Sequence, residues 1–207
     1  MVAPEFIAFE HPHDLVAEDH TAAADLPISG LTAWQALIDH GGLTTGQTVL
    51  IHGAAGGVGS IAVQLAREVG AVVIGTGQAA DRDIALGLGV RTFLDLQADK
   101  LEDAGEADVV FDVIGGEILD RSTELVRAGG TLVTIARMPT VQPWDVRAMF
   151  FVVEADRSRL ADLAQRLRDG RLKPIVGAVR PLAEAPAAFA PDRRTPGKTI
   201  IRITEGG

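Results

Sequence analysis

The chain has 207 residues, of which 47% are hydrophobic and 23% charged, with a formal net charge of −9, no cysteine and no tyrosine. That length and balance describe a globular chain holding one large domain, or one domain with appendages, and the acidity disfavours nucleic acid and anionic lipid as partners. The missing residue types exclude disulfides, thiolate zinc sites, cysteine nucleophiles and reductases that protonate a carbonyl through a Tyr–Lys pair, and they fit a reducing cytoplasm.

No apolar run is long enough for a membrane span. The opening MVAPEFIAFEHPHD has neither the basic start nor the apolar stretch of a signal peptide. PEFIAF alternates like a strand, and a polar connection follows. Leu31, Trp34, Leu37 and Ile38 then recur at helical spacing, and Gly41 and Gly42 stop that helix. TVLIH (48–52) reads as a buried strand and 60–70 as a helix ending at Gly70. AVVIGT (71–76) is a second strand, 81–89 a short helix and TFLDL (92–96) a third strand. VVFDVIGG (109–116) is a fourth strand running into glycines, 117–130 a helix with a glycine stop, and TLVTIA (131–136) a fifth strand. After a loop, AMFFVV (148–153) is a sixth strand. The helix at 156–170 has Asp156 as its cap, a Leu160–Leu163–Leu167 stripe and Gly170 at its end. A strand (175–179), a small helix (182–190) and a last strand (198–204) close the chain.

Near-continuous apolar strands alternating with helices predict an α/β fold: a doubly wound parallel six-stranded sheet of the Rossmann type, from about Thr48 to about Gly170. The expected organisation is a strand and connection at 1–26, the dinucleotide-binding domain at 27–170 and C-terminal strands and helix at 171–207.

The hexad AAGGVG (54–59) lies between strand and helix, where a glycine-rich turn receives a diphosphate. Gly56 and Gly59 take the second and third glycine positions; Ala54 departs at the first, where Gly53 can supply the turn instead. Free amides at the following helix start, with its dipole, favour the anion, and Ser60 is expected to cap that helix or meet a phosphate. An NAD site usually carries an acid at the end of the second strand, but GTGQAADR has none at Gly75, Thr76 or Gly77. Its absence permits NADP (NADPH), with Arg82 placed to pair with the 2′-phosphate, although Asp81 and Asp83 flank it. DVIGG (112–116) and TIA (134–136) end neighbouring strands on the ligand-binding edge.

The stretch DLPISGLTAWQALIDHGGLTTGQTVLIHGAAGGVGSIAVQLAREVGAVVIGT, with VVFDVIGGE and the closing GKTIIRI, resembles zinc-independent quinone oxidoreductases, the zeta-crystallin-like branch of the medium-chain dehydrogenase/reductase superfamily. The resemblance implies roles. Thr32 lies near the nicotinamide; Gly56, Gly57, Val58 and Gly59 hold the diphosphate; Thr76, Gly77 and Arg82 surround the adenosine ribose and its phosphate. Gly115, Ile135 and Ala136 line the nicotinamide half, and Phe150 to Val152, centred on Phe151, offer backbone to the carboxamide. It also implies hydride transfer from NADPH to a small-molecule quinone or activated enone, with no metal, and a homodimer joined through the sixth strands. Family members begin with a GroES-like catalytic domain, of which this chain shows only what looks like the last strand. A non-catalytic NADP(H)-binding module is therefore the competing reading.

No residue stands out as a catalytic acid or base. His11, His13 and His20, with Asp14, Glu18 and Asp19, match no zinc spacing and read as a solvated connection. His52 reads as a strand-edge residue, and HGAAGGVGS lacks the G-x-S-x-G nucleophile elbow.

Overall fold

A computed structural model of the chain describes residues 20–141, 144–188 and 197–203. The expected strand PEFIAF and the residues His11, His13, Asp14, Glu18 and Asp19 lie outside the described residues.

The first described element is a single helical turn, α1 (His20–Ala23). A longer helical stretch follows, in which the one α-helical turn α2 (Leu31–Trp34) sits between π-helical segments Leu26–Gly30 and Gln35–His40. Then come β1 (Thr48–His52), α3 (Gly57–Val69), β2 (Val72–Gly77), α4 (Arg82–Leu88), β3 (Thr92–Asp95) and β4 (Ala107–Asp112). The remaining elements are α5 (Gly116–Ser122), β5 (Val126–Thr134), β6 (Arg147–Phe150), α6 (Arg157–Arg168), β7 (Val176–Pro181), α7 (Ala185–Ala188) and β8 (Lys198–Arg202).

Six strands form one parallel sheet in the order β3-β2-β1-β4-β5-β6. The order turns back between β1 and β4, and the crevice beyond their carboxyl ends is where such sheets bind ligands. Alternation along β1 loads both faces. Val49 and Ile51 join a core with α2, α3 and α6 residues such as Leu31, Ile61, Leu65 and Leu163. Leu50 joins the opposite core with Val110, Leu119 and Leu132. The apolar runs of the sequence thus reflect burial on two sides.

The end of α5 and the start of β5 differ from expectation for an identifiable reason, while β4 ends at Asp112, short of the glycines, and β6 at Phe150. The helix expected at 117–130 ends early: α5 passes into a 3₁₀ turn (Thr123–Leu125), and β5 has begun by Val126 because Val126 already pairs with Ala107. Gly129 and Gly130 therefore lie inside a strand, at the shift of register between Ala107 and Val109, and do not stop a helix. The C-terminal strands β7 and β8 pair with each other in parallel, apart from the main sheet. Just before β8, Gly197 bridges Gly56, so the start of β8 is seated on the glycine loop.

Candidate functional site

The glycine loop joins β1 to α3. Gly53 makes the turn with φ +68°, and the Gly56 amide donates to its carbonyl at 2.9 Å. Gly59 lies so close to that carbonyl that a Cβ there would sit 2.1 Å from it, which fixes glycine by close approach of helix to strand. Gly56, extended at ψ 175°, is the residue before α3, so Gly57 and Val58 form its first turn. The expected role of Ser60 is corrected here. It lies a full turn inside the helix, is buried, and donates its hydroxyl to the Gly57 carbonyl at 3.3 Å. No side chain caps α3, which leaves its opening amides to a ligand.

A cation lies across this loop that sequence reading did not single out. The aliphatic chain of Lys198 covers Gly57, where a Cβ would meet the lysine Cε at 2.5 Å. Lys198 forms no salt bridge among the described residues. Its charge is felt by Asp25, whose buried carboxyl is raised by desolvation, with the Ser29 hydrogen bond (2.8 Å) and Lys198 opposing. Asp25 Oδ2 has no partner among the described residues. The available signal was a lysine directly after Gly197; its loop partner is some 140 residues earlier and invisible to spacing.

At the end of β2, Thr76 is fully buried and its hydroxyl meets His52 Nδ1 at 2.9 Å. His52 Nε2 lies 2.7 Å from Ser122 Oγ, and Ser122 donates its one proton to the Ile118 carbonyl at 2.6 Å. Nε2 must therefore be the donor to Ser122, and the neutral ring accepts the Thr76 proton at Nδ1. His52 ends β1 beside the glycine loop, as expected, and its imidazole is fully buried between two hydroxyls. Burial holds its pKa down to about 4, against the opposing pull of Asp112. The Thr76 hydroxyl proton is spent inward, so Thr76 faces the crevice with its backbone at most. Gly77 lies against Asp81, whose carboxylate accepts from the Gln78 amide at 3.0 Å. Arg82 stacks on the Phe93 ring at 5.2 Å, donates to the Phe93 carbonyl at 3.3 Å and lies 3.6 Å from Asp99. Its side chain is 45% exposed, on the β3 side of the crevice.

Gly115 and Ala136 come together at the ends of β4 and β5; a Cβ on Gly115 would lie 2.7 Å from Ala136 Cβ. The Ile135 amide donates to the Asp112 carbonyl at 3.2 Å. Phe151 donates its amide to Thr134 at 3.2 Å and turns its ring into the core against His40, centroids 4.6 Å apart. Phe150 and Val152 are exposed beside it. Gln35 pins the same segment, donating to the Glu154 carbonyl at 2.8 Å and accepting from its amide at 3.0 Å. Thr32 is buried in α2. The glycine loop, the β2 end and the β4 and β5 turns thus lie along one edge of the sheet, at the carboxyl ends of its strands.

A family described as "Zinc-binding dehydrogenase" matches residues 88–201, more than half of the chain. The chain belongs to the zinc-binding dehydrogenase family. It corresponds to the cofactor domain of these medium-chain dehydrogenases/reductases. It is 35% identical, over 203 residues, to "Spectinabilin polyketide synthase system protein NorB" of Streptomyces orinoci, covering 87% of this chain and 9% of that protein. The quinone oxidoreductase from Coxiella burnetii superposes with a TM-score of 0.78 at 26% identity, over 87% of this chain and 60% of the other. The CurK enoyl reductase superposes at 0.72 and 26% identity, over 87% and 62%. The chain therefore spans less than two thirds of each of these relatives. The family's name implies zinc, but the chain has no cysteine, and no group of three or more His, Asp or Glu among the described residues could hold a metal. These residues do not fit the ion. They are compatible with a dinucleotide: the start of α3 has no side-chain cap, the turn before it is built of Gly53 and Gly56, and the side chain lying over Gly57 is a lysine.

Proposed function

We propose that this chain is the NADP(H)-binding part of a reductase that delivers hydride to a quinone or activated enone, working as a homodimer. The observation that carries the reading is the uncapped start of α3 under a side-chain-free loop, with Lys198 laid across it. Helix amides and an ammonium with no salt bridge among the described residues are the chemistry that receives a diphosphate. Arg82 is the residue for the 2′-phosphate: Phe93 supports its guanidinium from one side, and Asp99 is a carboxylate that a phosphate dianion would outcompete. The turns at Gly115 and at Ile135 and Ala136 would seat the nicotinamide, with the backbone at Phe151 beside it.

When bound, NADPH supplies two electrons as hydride to a conjugated carbonyl. The chain's own contribution is orientation and a water-poor wall, and none of its described side chains is offered as the proton donor. A proton from solvent completes the reduced product. The likeness to a quinone oxidoreductase and an enoyl reductase supports a conjugated acceptor. A non-catalytic NADP(H)-binding module is the second reading, since the features described above all serve to hold a dinucleotide.

Titration with NADPH, then an NADPH-oxidation assay with a simple quinone and a simple enone, tests both. Binding with turnover supports the reductase, binding without turnover the module, and no binding overturns both. Arg82→Ala should weaken NADPH by about tenfold or more and NADH far less, on the order of one charge-assisted contact. An equal loss for both would remove Arg82 from the site.

A further inference from the structure

Asp112 ends β4 and is fully buried. A carboxylate taken out of water is costly unless its lone pairs are filled by donors. Its Oδ1 accepts from the amides of Ile114 at 3.1 Å and Gly115 at 3.0 Å. Its Oδ2 accepts from the Gly115 amide at 3.1 Å and the Thr134 hydroxyl at 2.8 Å. Thr134 Oγ1 in turn accepts from the Ala136 amide at 3.1 Å. The threonine thus spends its one proton on Asp112 and a lone pair on the turn that follows its own strand. One buried relay ties the turn after β4 to the turn after β5, and the two turns touch where Gly115 meets Ala136. The relay fixes backbone and presents nothing to the crevice itself. None of its hydrogen bonds reaches the glycine loop or the β2 end, which meet it only through the charge of Asp112 on His52 and the packing of Val113 against Gly53.

We propose that Asp112 and Thr134 are a positioning pair that sets the seat of the nicotinamide half of the cofactor and leaves the adenosine half alone. This rests on the dinucleotide reading above. Loss of the relay lets the Gly115 and Ala136 turns separate or rotate, and the cost falls on whatever ligand group spans both.

The test compares two ligands on the full 207-residue chain: NADPH, and 2′-phosphoadenosine 5′-diphosphoribose, which is the same molecule without nicotinamide. The wild type should bind both, NADPH the more tightly. Thr134→Val removes the hydroxyl; NADPH affinity should fall about fivefold or more, the scale of one buried hydrogen bond, and fragment affinity should stay within about twofold. Thr134→Ser keeps the hydroxyl and should restore the wild-type ratio. If Thr134→Val does not fold, Thr134→Ala against Thr134→Ser carries the same comparison. Equal losses for the two ligands, or a serine variant that fails to restore the ratio, overturn the inference, because the pair would then only support the fold. A wild type that binds the fragment as tightly as NADPH overturns it as well. A wild type that binds neither ligand overturns the dinucleotide reading and the inference with it.

Discussion

The ring of His52 has no room for a second proton. Its Nδ1 already accepts from Thr76 and its Nε2 donates to Ser122, so protonation would set two donors against one hydroxyl proton. Its folded pKa of about 4 lies below the ordinary value of 6.5. The sign follows from proton counts. Between those values the unfolded chain binds a proton that the folded chain does not, so the contribution is complete above pH 6.5 and is lost as pH falls toward 4. The loss attributable to this residue is on the order of 3 kcal/mol across the window. Urea unfolding at several pH values should show that slope, and His52→Gln, which keeps one donor and one acceptor, should flatten it; an unchanged slope would separate the acid sensitivity from His52. At this scale the sequence was legible where backbone geometry alone decides. Gly56 and Gly59 were readable because strand, glycine turn and helix are contiguous. His52, Asp112 and Lys198 were not, because their partners lie far along the chain and nothing local marks them.

Helices were readable where a stripe and both ends agree. α6 is the clearest case: Asp156 accepts from the Arg159 amide at 2.9 Å, and Leu160 and Leu163 are buried. Asp156→Ala should cost about 1 kcal/mol, as the loss of an N-cap acceptor does, read as a lowered denaturation midpoint with an unchanged denaturant slope. A neutral result would mean that water replaces the cap. Boundaries failed where tertiary pairing overrode local signal. The glycine pair 129–130 reads as a helix stop, yet strand pairing had already begun at Val126. The edge strand β6 came out shorter than its apolar run, ending at Phe150, after which the chain turns Phe151 into the core. The Phe150 amide donates to Met138 Sδ at 3.1 Å, a soft partner for a strand that has a neighbour on one side only.

For the molecule as a whole, the six-stranded parallel sheet followed from counting apolar runs, since strands buried on both faces leave few alternatives to a doubly wound sheet. The position of β7 and β8 did not follow, because a two-stranded parallel ribbon carries no pattern that says what it lies against. Among the described residues, Trp144 is 97% exposed and Val152 71%, near the open side of β6. Apolar surface beside an unpaired strand favours self-association. Light scattering should give twice the 21.7 kDa of one chain, and a clean monomer at high concentration would count against the homodimer.

The Gly197–Gly56 bridge closes a loop in the polypeptide, since the last described strand begins where the glycine turn after β1 sits. A displacement of β8 would therefore be carried to Gly57 through the lysine draped over it.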